Sequence, residues 1–98
     1  MANFKLFQPA YTQGQTVSPA AGAASTPVDA IATSVLLTNT GTNICYVRVG
    51  RGSISATTAD MPVLSGTQVT IAKGDGDNVI SYISAVGTTL HIIVGDGF

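Results

Sequence analysis

Glutamate and tryptophan are absent from this chain, and cysteine and histidine occur once each, as Cys45 and His91. Acid–base and covalent catalysis need a nucleophile, a base and an orienting group brought together, so the parts for an enzyme are scarce and the chain reads as non-catalytic, with no cofactor or small-molecule substrate implied. A lone cysteine excludes an intramolecular disulfide and points to a reducing compartment of assembly. Charge is scarce too: charged residues make up 9% of the chain, against about 25% in an ordinary soluble domain. The only basic residues are Lys5, Arg48, Arg51 and Lys73, and the formal net charge is −1. That leaves no basic stripe for phosphates, which argues against a nucleic-acid partner. No apolar run reaches the roughly 18 residues of a membrane span, and Met1 to Pro9 lacks the charged and apolar regions of a signal peptide, so neither a membrane partner nor secretion through a cleaved leader is expected.

What the sequence does hold is Val, Ile and Thr in abundance, with 45% hydrophobic residues overall. β-Branched side chains fit a pleated surface and lose rotamer freedom in a helix, so the 98 residues predict one small all-β domain, an antiparallel β-sandwich or jelly-roll-like barrel. Its exterior has to be built from Thr, Ser, Asn, Gln, Gly and Ala. A surface so poor in charge does little to hold neighbouring molecules apart and suits a protein packed in an assembly.

Residues 1–27 differ from the rest. After an alternating start at Phe4, Leu6 and Phe7, the segment runs through Pro9, Tyr11, Gly14, Pro19, the four alanines Ala20, Ala21, Ala23 and Ala24, and Pro27. Small residues and prolines bury little, which predicts an extended N-terminal arm whose apolar tip is covered by a partner, and a body over 28–98 that folds without it. In the body, apolar runs alternate with turn residues at the spacing of a meander. A first strand over 28–38 carries Ile31, Val35 and Leu37 inward. A second, over 43–50, sends Cys45, Val47 and Val49 one way and Ile44, Tyr46 and Arg48 the other, the two forming a hairpin through Asn39 to Asn43. Strands over 67–73 and 79–85 follow, and a last one alternates Leu90, Ile92 and Val94 with His91 and Ile93.

Several residues could carry chemistry. His91 reads as an exposed or interface histidine and Cys45 as a small buried hydrophobe, against a Cys45–His91 dyad that no spacing supports. Asp75, Asp77 and Asn78 put three oxygen-bearing side chains in one turn, a possible calcium cradle, but Asp, Asn and Gly are also ordinary turn residues, and no metal site is assigned. Arg48 and Arg51 either pair within the chain, Asp60 being near in sequence, or anchor a partner together with Ile44 and Tyr46. The candidate partner interface is therefore Phe4, Leu6, Phe7 and Tyr11 on the arm with Ile44, Tyr46, Arg48 and Arg51 on the body.

The run Leu37-Thr38-Asn39-Thr40-Gly41-Thr42-Asn43-Ile44-Cys45-Tyr46-Val47-Arg48-Val49-Gly50, then Ala59-Asp60-Met61-Pro62-Val63-Leu64-Ser65-Gly66, then Gly87-Thr88-Thr89-Leu90-His91-Ile92 and the Gly95-Asp96-Gly97 ending, resembles small virion structural proteins of tailed bacteriophages, the head decoration or cement proteins. The resemblance implies a compact β-sandwich or jelly roll on the virion surface, made in the host cytoplasm. It would be a homotrimer bound to the outer surface of the major capsid protein lattice. It carries over no catalytic residue. A tail or fibre β module is the alternative, binding another virion protein or a host-surface glycan through Tyr46, Tyr82 and Asn78.

Overall fold

A computed structural model describes residues 7–74 and 76–96. Nine strands and no helix occur among them: β1 (Gln8–Pro9), β2 (Gln15–Val17), β3 (Ala24–Pro27), β4 (Ser34–Asn39), β5 (Cys45–Gly50), β6 (Met61–Val63), β7 (Gln68–Ala72), β8 (Val79–Ile83) and β9 (Leu90–Asp96). They form two antiparallel sheets. One runs β1–β9–β4–β7, with β2 sharing the β1 side of β9; the other runs β3–β8–β5–β6.

The pairing is nested. β2 meets β9, β3 meets β8, β4 meets β7 and β5 meets β6. The chain is thus one long antiparallel ribbon, closed at β5–β6, whose successive rungs fall alternately into the two sheets. Pairing of β4 with β9 and of β5 with β8 completes each sheet. This is the jelly-roll solution to packing two sheets face to face.

Of the side chains that the alternation places on one face, Val35, Leu37, Cys45, Val47, Leu90, Ile92 and Val94 are buried between the sheets, where Val63 and Ile80 join them. Three expectations are corrected. The segment 8–27 is no free arm, because β1 and β2 edge one sheet and β3 edges the other. Its small residues and prolines suit edge strands, which need a ladder on one side only.

The strand predicted from residue 28 begins at Ser34. Asp29 Oδ1 accepts the Ile31 amide at 2.9 Å, turning the chain there and leaving Ile31 82% exposed rather than inward.

The predicted β4–β5 hairpin does not form either, since the two strands lie in different sheets. Residues 39–44 arch from one sheet to the other, and the amides of Thr40 and Gly41 donate to Thr89 O at 3.0 and 3.2 Å. A Cβ on Gly41 would strike Thr88 Oγ1 and the Thr89 backbone nitrogen, so this arch needs glycine. The turns at 73–78 and 85–88 likewise cross between sheets.

Candidate interaction surface

The predicted interface residues separate onto different parts of the sandwich. Phe4 and Leu6 lie outside the described residues. Phe7 is half-buried and leans on β9: its Cζ is 3.0 Å from where a Cβ on Gly95 would stand. Tyr11 is 78% exposed. It sits in the bulge 11–14 that separates β1 from β2 along the β9 edge, where Thr12 takes φ 73°. Tyr46 and Arg48 face outward from β5 on the other sheet, because their neighbours Cys45 and Val47 face the core.

Both arginines are engaged within the chain. Arg48 Nε donates to Asp60 Oδ1 at 2.9 Å, and its other nitrogen Nη2 lies 2.9 Å from the same oxygen. Asp60 Oδ2 accepts the Thr57 amide at 2.7 Å. The Thr57 amide lowers the Asp60 carboxyl most; desolvation, next in size, opposes it, and the hydrogen bond and charge of Arg48 help to leave the group below the usual carboxylate range. With its folded pKa depressed, Asp60 contributes stability above the unfolded carboxylate pKa, and that contribution is lost as pH falls through the folded value. Asp60→Asn is therefore expected to lower urea-denaturation stability slightly at neutral pH and not at all in strong acid. A deficit that persists unchanged into acid would contradict this ion-pair account. The loop this pair braces lies on the outer face of its sheet, where the Ala56 amide donates to Ser81 Oγ at 2.8 Å.

Arg51 Nε lies 3.8 Å from Asp77 Oδ1. Asp77 Oδ2 also accepts the Gly74 amide at 3.1 Å, and Asn78 Oδ1 accepts the Gly52 amide at 3.4 Å. Asp75 lies outside the described residues. The oxygens of Asp77 and Asn78 are therefore engaged by Arg51 and by the Gly74 and Gly52 amides, and no cluster of metal-ligating side chains forms among the described residues. A cation does sit beside this turn, but it belongs to the chain. Lys73, 5% exposed, donates its Nζ to the carbonyls of Ala30 (3.0 Å), Gly74 (3.4 Å) and Asp77.

Cys45 and His91 do not converge. Cys45 lies in the core, where burial pushes its thiol up to about 11, so it is protonated at neutral pH. His91 sits on the outer face of the opposite sheet, its Nδ1 3.1 Å from Thr16 Oγ1. Tyr82 and Tyr46 are also separated: Tyr82 is paired with inward-facing Val47 and is buried in the core, whereas Tyr46 faces out.

Sequence reasoning missed one surface. Asp29 and Asp96 have no cationic partner among the described residues and line one hollow of about 240 Å³ at the end of β9, together with the exposed Ile31. The signal available was Asp29 itself, since an Asx turn at that position exposes the next apolar side chain. A second hollow, about 340 Å³, opens between β2 and β3 over Ile92 and Val94. Gln15 bridges its two walls, its amide donating to Pro27 O at 3.0 Å and accepting from Thr26 Oγ1 at 2.7 Å.

No family model matches the sequence, and no curated protein matches it. Solved structures do share its shape. The crystal structure of PirA aligns with a TM-score of 0.60 at 13% identity, over 84% of this chain and 93% of that one. A de novo designed double-stranded β-helix aligns at 0.53 and 14% identity, over 85% and 99%. The Drosophila melanogaster CENP-C cumin domain aligns at 0.50 and 10% identity, over 96% and 69%. At these identities the likeness concerns fold alone: the chain is a small all-β sandwich of the double-stranded β-helix type.

Proposed function

We propose that this protein is a structural virion component, a capsid decoration protein that binds the outer surface of a major capsid protein lattice and stabilises the head as a homo-oligomer. The observation that supports this reading is how little free charge the sandwich presents. Among the described residues, Arg48 and Arg51 are paired to Asp60 and Asp77, Lys73 is buried against carbonyls, and the carboxylates without a cationic partner are Asp29 and Asp96. Large apolar side chains meanwhile stand exposed at Tyr11, Ile31, Leu64 and Val86. A lattice-bound module needs surfaces that desolvate cheaply, and uncharged ones do. Chemistry at the surface is not part of this reading, since the lone thiol is buried away from the lone imidazole.

The test is addition of purified protein to capsids that lack it. Binding, with increased resistance of the heads to heat or dilution, is the expected result; no binding and unchanged resistance would sink the proposal. Glycan-array binding without capsid affinity would favour the tail or fibre alternative. That alternative has lost its pair of stacking platforms, because Tyr82 is buried.

A further inference from the structure

Each sheet has two lateral edges, and three of the four are blunted. β1 carries Pro9 and is cut off from β2 by the 11–14 bulge; β3 ends in Pro27; β6 is three residues long with Pro62 at its centre. Proline and brevity are how sheets refuse further strands. β7, Gln68-Val69-Thr70-Ile71-Ala72, has none of these devices and no charge.

The phase of its ladder follows from two hydrogen bonds that bracket it. The Asn39 amide donates to Thr67 O at 2.9 Å, and the Lys73 amide donates to Thr33 O at 2.8 Å. Odd-numbered residues thus turn their backbone groups to β4, and Gln68, Thr70 and Ala72 turn theirs away from the sheet. These outward groups have no partner among the described residues.

We propose that the β7 edge is a homodimer contact, in which β7 of a second copy adds antiparallel about a two-fold axis midway between the two Thr70 residues. The strand fits itself. Thr70 falls opposite Thr70 of the other copy and Gln68 opposite Ala72, so three N–H and three C=O groups from each copy close the ladder. Between these pairs, Val69 falls opposite Ile71, apolar against apolar. No like charges meet, and the nearest cation, Lys73, is withdrawn into its carbonyl cage. The contact joins two sheets into one continuous sheet. Being two-fold, it makes a dimer where the virion resemblance implies a trimer, and it stands whether or not a capsid is the partner.

Sedimentation equilibrium of the full chain at high micromolar concentration is expected to give a dimer. Thr70→Lys sets two ammonium groups opposite each other and is expected to weaken association roughly tenfold or more, with an unchanged thermal transition showing that the fold is intact. Because Cys45 is buried, an introduced thiol can be read alone. Thr70→Cys should form an interchain disulfide on mild oxidation, and a control at exposed Ser53 (Ser53→Cys) should not. Gln68→Cys and Ala72→Cys should cross-link when mixed and neither should do so alone. A monomeric native chain, a trimer indifferent to Thr70→Lys, or self-cross-linking of Gln68→Cys would each overturn the proposal.

Discussion

A chain that begins at Val28 is expected to show no cooperative thermal transition and to bind hydrophobic dyes. The deletion removes β1, β2 and β3 together, stripping β9 of its outer neighbour and β8 of its only edge strand. Ile92 and Val94 on β9, and Ile80 and Tyr82 on β8, are buried in the intact sandwich and would line two newly opened seams. The remaining body has about 70 residues, a size at which a single core is marginal even when complete, and both bare strands would be free to pair with other chains. Calorimetry of the truncated protein is the measurement. A sharp transition near that of the intact chain would show that the body folds alone and that the first three strands are accessory.

Asn39→Ala is expected to lower the unfolding free energy by about 3 kcal/mol, since each buried polar group left without its partner costs roughly 1–3 kcal/mol. Asn39 is 1% exposed at the end of β4, where the chain leaves one sheet for the other. Its Nδ2 donates to Asn43 O at 2.8 Å and Val63 O at 3.0 Å, and its Oδ1 accepts the Gly41 amide at 3.1 Å and the Thr88 hydroxyl at 2.8 Å. One side chain thereby ties together the 39–44 arch, β6 and the loop before β9. Asn39→Asp keeps the acceptor but turns an oxygen toward two carbonyls, so it should be destabilising as well, and more so once ionised. Urea denaturation of both variants measures this. Losses below about 1 kcal/mol, the worth of one ordinary hydrogen bond, would mean that water replaces the amide and that the arch is held mainly by its backbone.

Which side chains face the core was legible in the sequence, because a period of two is the direct imprint of a sheet buried on one side. Val35 with Leu37, Cys45 with Val47, and Leu90 with Ile92 and Val94 all read correctly. Which strand lies beside which was not legible. A turn such as Asn39 to Asn43 uses the same residues whether it closes a hairpin or carries the chain to the opposite sheet, and here the deciding contacts, with Thr88 and Thr89, come from far along the chain. β3 was unreadable for another reason. Ala24, Ser25, Thr26 and Pro27 are held by ladder bonds to β8 and bury almost nothing, so no apolar pattern marks them.

At the candidate surface, the Arg48–Asp60 pair was visible as two opposite charges near in sequence. The Lys73 cage was not, since its acceptors are backbone carbonyls, which every residue possesses.

The place of β9 bears on how the protein is made. Residues 90–96 form the strand that stands between β1 and β2 on one side and β4 on the other. While the ribosome still holds those residues, β1 and β2 have no partner strand and β4 is paired on its β7 side alone. Nascent chains therefore emerge without a completed sheet, and ordering waits for contacts between residues 75 apart, such as Thr16 with His91, the kind of long-range closure that makes β folds slow. Folding of this domain therefore waits until β9 is free to pair, and the interval before that is when premature strand exchange between neighbouring chains would act.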